Sequence, residues 1–207
     1  MGAIEPKKNL RRLVEAFVLS DTQMPLLMAG PLGWLYDDDL ALMDSVADQT
    51  RVAGQRARLR RLGYLPRRHV VALLQCARFL VFPSLYEGFG LPVLEAMQLG
   101  VPVLTSNTGA LAEVSGDAAV LVSPLDVDAM AAQIRRLASD NDLCRELAGR
   151  GPPQAAKFSF DDYRHRLATA YRNIGVDIQL PDILHAAHSS GVELTGCPTT
   201  APYSPIA

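Results

Sequence analysis

The chain has 207 residues, of which 49% are hydrophobic and 20% are charged, and its formal net charge is −2. This composition is ordinary for a globular protein, and the length allows one α/β domain with a sizeable core, with or without a tail. The near balance of 20 basic and 22 acidic residues argues against broad binding of nucleic acid or anionic membranes.

The cysteine pattern and the apolar runs bear on location. The three cysteines are widely spaced and form no Cys-x-x-Cys pair, which indicates reduced thiols in a cytoplasmic protein. No apolar run approaches the roughly 20 residues of a membrane span. The N-terminal stretch MGAIEPKKN has no apolar signal-peptide core. The sequence therefore gives no indication of membrane association.

Predicted strands and helices alternate along the chain. After the short segment MGAI, a helix begins near residue 10 with Asn9 as its N-cap. Strands are predicted at MPLLMAG, ARLRRLGYL, FLVFPS, VPVLTS and AAVLVSP. The later helices are predicted at DDDLALMDSVADQ, RRHVVALLQCAR, 92–99, GALAEVSG, 126–139, 141–149 and 160–174.

This alternation predicts an α/β fold with a single Rossmann-like, doubly wound parallel sheet. Such sheets bind ligands beyond the carboxyl ends of their strands. Because only MGAI precedes the first helix, we expect the first strand to be truncated. Residues 175–207 lose helical periodicity and are rich in Pro, Ser, Thr and Gly, so we predict one domain over 1–174 and a disordered, irregular tail over 175–207.

The stretch PSLYEGFGLPVLEAMQLGVPV, residues 83–103, contains a predicted anion site. Gly88 and Gly90 precede a helix for which Pro92 suits the first position and Gly100 the residue after the end. The free N–H groups and the positive dipole at the helix start favour phosphate, and glycines allow its close approach.

Two carboxylates lie beside this loop. Glu95 alone could merely complement the helix dipole, and Glu87 alone could be a solvated turn residue. Carboxylates repel phosphate but accept hydrogen bonds from hydroxyls, so together they favour a diphosphate with sugar hydroxyls on both sides. Such a ligand is a nucleotide sugar.

The segment EPKKN supplies positive charge at the predicted ligand edge of the sheet. The alternative is that Lys7 and Lys8 are ordinary solvated surface lysines without a role in ligand binding. The position before a helix favours Lys8 as a diphosphate ligand. Together with a helix N-terminus it would stabilise a leaving pyrophosphate without a metal, so we expect no metal and no cofactor.

These motifs resemble the C-terminal half of group 1 retaining glycosyltransferases of the GT-B fold, over about residues 1–172. The resemblance rests on EPKKNLRRLVEAF, LLMAGPLGW, RLGYLP, FLVFPSLYEGFGLPVLEAMQLGVPVLTSNTGALAEVSGDAAVLVSP and KFSFDDYRHRL. Its most specific part is the pair of glutamates in the E-x7-E element, Glu87 and Glu95.

The resemblance implies specific roles in binding the donor. Glu95 would bind the ribose, and Glu87 would lie beside the hydroxyls of the transferred sugar, with Glu87 and Lys8 as the catalytic pair. Lys8 would contact the diphosphate, and the segment around Leu65 would pass the nucleobase. The loop residues that would line the phosphates and the sugar are Gly88, Phe89, Gly90 and Leu91. Many relatives carry an arginine where this chain has Ala3.

The resemblance predicts transfer of a hexose from a nucleoside-diphosphate sugar to an acceptor with retention. In the family an N-terminal domain binds the acceptor, and this sequence contains none, so we expect a separate N-terminal half and an inactive isolated chain. The alternative is a nucleotide-sugar-binding module, or a truncated gene product, without turnover. A phosphorylase-like or epimerase-like relative is disfavoured, since no pyridoxal lysine motif is present.

Overall fold

The computed structural model describes residues 1–49 and 57–176. The helices in this part of the chain are Leu10–Ser20 (α1), Asp37–Gln49 (α2), Arg67–Cys76 (α3), Leu91–Gln98 (α4), Gly109–Ser115 (α5), Val127–Ser139 (α6), Asn141–Ala156 (α7) and Phe160–Asn173 (α8). The strands are Leu26–Ala29 (β1), Leu59–Gly63 (β2), Leu80–Phe82 (β3), Val103–Ser106 (β4) and Val120–Val122 (β5). The predicted tail lies outside the described residues from position 177 onward.

The paired strands are parallel throughout the described residues. β1 pairs with β2, and β4 lies between β3 and β5. Leu80 is in register with Val103, and Leu104 with Val120. Each connection between paired strands contains a helix, so the prediction of an α/β fold with parallel strands is confirmed. The hydrogen-bonded strands form two groups and not one continuous ladder.

Helices cover both faces of the three-stranded group. Every residue of β4 is buried. Val103 belongs to a core cluster that it shares with residues of α4 and α5, whereas Leu104 belongs to a second cluster with residues of α1 and α6. Because successive side chains of a strand point to opposite faces, these two clusters lie on opposite sides of the sheet. This is the arrangement of a doubly wound fold.

The segment before α1 runs along the end of β1 without forming a full strand. Gly2 N donates to Ala29 O at 3.0 Å, and Ile4 forms an isolated parallel bridge with Leu32. A Cβ on Gly30 would lie 1.8 Å from Gly2 O, and its φ of +153° also favours glycine, so only glycine allows this close approach. A short 3₁₀ turn at Pro6–Lys8 then leads into α1.

Helix α7 extends beyond its predicted end near residue 149, through Pro152 and Pro153 to Ala156. Helix α8 lies in a second compact unit that begins at Asp161. It carries Asp161 and Asp162 in its first turn and Arg172 in its last, which suits the helix dipole. None of the helices described is both long enough and apolar enough to cross a membrane.

Candidate functional site

The candidate site is built where the loop after β3 meets the 3₁₀ turn before α1. Strand β3 ends at Phe82, and Leu85 N then donates to Lys7 O at 2.8 Å. This backbone hydrogen bond joins two segments that are far apart in the sequence. It fixes the EPKKN segment beside the start of the glycine loop.

Asn9 joins the 3₁₀ turn to the loop after β3 and also to the segment after β5. The sequence predicted that Asn9 would cap α1, and it occupies the N-cap position, but its side chain makes no capping hydrogen bond. The buried amide Nδ2 instead donates to Pro83 O at 3.1 Å and to Pro124 O at 2.6 Å. Its backbone is left-handed, with φ of 58°, which asparagine tolerates better than most residues. Asn9 therefore fixes the turn that carries Lys8.

Lys8 and Glu87 are in direct contact. Lys8 Nζ donates to Glu87 Oε1 at 2.5 Å, and the side chains are only 12% and 11% exposed. The Lys8 ammonium also lies 4.8 Å from the centroid of the Phe82 ring, within the range of a cation–π contact. An ammonium has three N–H donors, so Lys8 can hold Glu87 and still donate to an anion.

The pairing also changes what Glu87 can do. A bare carboxylate repels a diphosphate, but a carboxylate neutralised by a lysine can lie close to one. Burial, and secondarily the nearby charge of Lys8, lower the pKa of the Met1 α-amino group to about 6.

The glycine loop leads directly into the N-terminus of α4. Gly90 is the N-cap, with φ of 101°, and a Cβ there would lie 2.6 Å from Leu111 Cδ2. Val93 N and Leu94 N both donate to Gly90 O, and Pro92 has no N–H. The backbone amides at the tip of the helix are therefore those of the residues before Pro92.

The predicted loop residues surround this tip. Gly88, Phe89 and Leu91 are exposed, whereas Gly90 is buried. The Phe89 ring packs edge-on against Phe158, with 5.7 Å between centroids. This contact fixes one side of the loop, and the backbone at Gly88 remains exposed. Helix α4 ends at Gln98 with Leu99 as its C-cap, and Gly100 follows the helix as predicted, with φ of 66° and its N–H donating to Met97 O at 3.0 Å.

Glu95 lies at the start of the second turn of α4. It is the fifth residue of the helix, and the first turn contains no acidic residue. Complementing the helix dipole therefore does not explain it. Its Oε1 accepts a hydrogen bond from Arg67 Nη1 at 3.1 Å. Sequence analysis did not identify Arg67, although its place after the strand β2 and at the start of α3 marks the predicted ligand edge.

Leu65 lies in the same connection, two residues before α3 begins, and is half-buried. The Arg67–Glu95 contact therefore connects two parts of the expected donor site: the segment expected to lie beside the nucleobase and the helix expected to bind the ribose.

Among the described residues there is no group of three or more His, Cys, Asp or Glu side chains that could hold a metal ion.

The chain is similar in sequence to known proteins. The family model of the group 1 glycosyl transferases matches residues 1–152. The O-antigen chain mannosyltransferase B of Escherichia coli is 43% identical over 177 residues, which are 83% of this chain and 44% of that protein. An MMP α-(1→4)-mannosyltransferase of Mycolicibacterium hassiacum is 40% identical over 106 residues, which are 49% of this chain and 26% of that protein.

Solved structures share the fold. A sucrose-phosphate synthase from Thermosynechococcus elongatus has a TM-score of 0.69 and 26% identity, over 84% of this chain and 44% of its own. Anabaena HepE, solved in complex with UDP-glucose, has a TM-score of 0.70 and 19% identity, over 83% of this chain and 48% of its own. These neighbours are GT-B glycosyltransferases. The chain spans about half the length of each of these two.

The match to the family model covers most of the chain, and the similarity to the mannosyltransferase of E. coli covers 83% of it. The chain belongs to the group 1 glycosyltransferases.

Proposed function

We propose that this chain, over residues 1–174, is the donor-binding half of a retaining glycosyltransferase that transfers a hexose from a nucleoside-diphosphate sugar. The observation that carries the proposal is the largely buried ion pair of Lys8 and Glu87 beside the tip of α4. It combines a positive donor for a diphosphate with a carboxylate for sugar hydroxyls. The relatives that are named mannosyltransferases and the UDP-glucose complex of HepE support this class of donor.

The proposed binding mode follows from these contacts. Lys8 and the backbone amides of Phe89, Gly90 and Leu91 bind the diphosphate, since N–H donors and the helix dipole favour anions there. Glu87, held by Lys8, accepts a hydrogen bond from the transferred sugar. Glu95 accepts hydrogen bonds from the ribose, and Leu65 packs beside the nucleobase.

In the proposed reaction, the bond between the anomeric carbon and the diphosphate breaks, the acceptor hydroxyl oxygen bonds to that carbon from the same face, and the hydroxyl proton passes to the leaving diphosphate. Negative charge develops on the leaving diphosphate, where Lys8 and the tip of α4 stabilise it in place. The acceptor must be held at reacting distance, which is a large part of the rate enhancement. A separate N-terminal half supplies that positioning in this proposal.

The free cysteines Cys76 and Cys144 support a reducing, cytoplasmic location.

The test begins with calorimetry of the 207-residue chain against UDP-, GDP-, TDP- and ADP-sugars. We expect one of them to bind with micromolar to millimolar affinity, about −8 to −4 kcal/mol. Glu95→Ala should weaken that binding by about 1–3 kcal/mol, because a hydrogen bond to a charged group is lost.

A matched pair of lysine variants tests the role of the diphosphate ligand. Lys8 is 12% exposed and Lys7 47% exposed, and they are neighbours with the same charge. We expect Lys8→Met to weaken binding of the donor far more than Lys7→Met does. Equal affinity in the two variants, or no binding of any nucleotide sugar by the wild-type chain, would remove the proposal.

The second candidate function is nucleotide-sugar binding without turnover. It is supported by the contacts at the site, Lys8 with Glu87 and Arg67 with Glu95, which suit binding of the donor. Donor binding without transfer or hydrolysis, measured with a panel of acceptor sugars, would support it.

A further inference from the structure

The contact between Arg67 and Glu95 is not explained by helix stability. Arg67 is the first residue of α3, and its first turn contains no acidic residue. A cation at a helix N-terminus is unfavourable, because it lies at the positive end of the dipole. The Arg67 side chain is 81% exposed, and surface ion pairs contribute little to stability. The contact therefore contributes little to the stability of the fold.

The geometry at Glu95 indicates a role for this contact in ligand binding. Arg67 Nη1 engages only Oε1, at 3.1 Å, while the Glu95 side chain is 31% exposed. A carboxylate with one oxygen held loses rotational freedom. Its second oxygen, Oε2, then samples fewer orientations before a ligand arrives, which reduces the entropy lost on binding.

We propose that Arg67 is a positioning residue for the ribose: it holds the Glu95 carboxylate so that Oε2 accepts a hydrogen bond from a ribose hydroxyl. The inference rests on the proposed function and deepens it, since it assigns selectivity for ribonucleotides to a side chain outside the glutamate–glycine loop. Arg67 acts through Glu95 and does not itself need to touch the ligand.

The inference predicts an effect that depends on the ribose hydroxyls. The probes are the nucleoside diphosphate that the wild-type chain binds and the 2′,3′-dideoxynucleoside diphosphate of the same base. Arg67→Ala should weaken binding of the ribonucleotide about three- to tenfold, and it should leave binding of the dideoxynucleotide unchanged. Arg67→Lys should restore part of the affinity, because a lysine can donate to Oε1 but lacks the planar fork of arginine.

Arg68→Ala is the matched control, since Arg68 is the neighbouring exposed arginine and its Nε contacts His69 and not Glu95. We expect it to bind both probes as the wild type does. In the Glu95→Gln background, Arg67→Ala should have no further effect, because both substitutions act on one carboxylate. Urea denaturation of each variant checks that folding is intact.

Two results would overturn the inference alone. One is an equal loss of affinity for both probes in Arg67→Ala, which would indicate a general effect of charge on the diphosphate. The other is equal behaviour of Arg67→Ala and Arg68→Ala. Failure of the wild-type chain to bind any nucleoside diphosphate would be a different result, since it would overturn the proposed function and the inference together.

Discussion

At the scale of single residues, the pair formed by Lys8 and Glu87 combines charge with shielding from water. Both side chains are almost nine-tenths buried. Removing one partner leaves the other charge in a medium of low polarity without compensation. We expect Lys8→Met and Glu87→Gln each to lower the free energy of unfolding by about 3 kcal/mol, the lower end of the range for buried pairs. Urea denaturation followed by circular dichroism measures this.

A double-mutant cycle separates the pair from its surroundings. The variant that combines both substitutions should be more stable than the sum of the single changes predicts, by about 1–3 kcal/mol, because residues in contact are coupled. The exposed pair Arg145–Asp142, with side chains 79% and 87% exposed, is the control and should give a coupling of less than about 0.5 kcal/mol. Equal coupling in the two pairs would show that Lys8 and Glu87 are solvated in solution.

Some of these residue contacts could be predicted from the sequence and some could not. Parallel strands end at one edge of the sheet, so the sequence placed Lys8 and the glycine loop in the same region. Asn9 illustrates the limit. Its N-cap position follows from local sequence, but its hydrogen-bond acceptors lie 74 and 115 residues away in the sequence. Local sequence carries no information on such partners.

At the scale of elements, the start of α4 depends on one glycine. Gly90 has φ of 101°, and its missing Cβ leaves room for Leu111. Gly88 is two residues earlier in the same loop, and a Cβ there would contact nothing within 4 Å. We expect Gly90→Ala to lower the free energy of unfolding by about 1–3 kcal/mol through backbone strain and the clash, and Gly88→Ala to change it by less than about 0.5 kcal/mol.

The two glycine variants also test how the loop presents its amides. In Gly90→Ala the φ of 101° is strained for alanine and the Cβ contacts the Leu111 side chain, so we expect the backbone at the tip of α4 to shift. We therefore expect a loss of affinity for the nucleotide sugar that exceeds the loss in Gly88→Ala, measured by calorimetry. Indistinguishable stabilities of the two variants in urea would show that the loop does not have the conformation described here.

Helix α7 shows why element boundaries were predicted less well than element types. Pro152 and Pro153 predict an end near residue 149, because proline inside a helix costs about 3 kcal/mol. The helix continues because it packs against α4: a Cβ on Gly151 would lie 2.9 Å from Met97 O. The buried Gln154 side chain also donates to Val114 O at 3.0 Å. Tertiary contacts of this kind outweigh local propensity and are not visible in the local pattern.

At the scale of the whole molecule, the site depends on a sheet that is covered on both faces. The sequence predicted this arrangement from the order of the elements, and the two core clusters agree with it. The order of the elements could not predict which side chains contact each other at the ligand edge of the sheet, such as Arg67 with Glu95. That contact depends on the lengths and crossing angles of α3 and α4, which the hydrophobic pattern does not encode.

Coverage of both faces can be tested with one substitution on each. Leu104 is fully buried in the cluster with α1 and α6, and Leu80 is 6% exposed in the cluster with α4 and α5. Leu104→Ala and Leu80→Ala should each lower the free energy of unfolding by about 2–5 kcal/mol, through lost apolar burial and the cavity left behind.

Leu121 on β5, 37% exposed, is the control. Leu121→Ala should cost less than about 1 kcal/mol because its side chain is only partly removed from water. A cost for Leu80→Ala as small as that for Leu121→Ala would mean that α4 and α5 do not pack on that face. The tip of α4 would then have no rigid support.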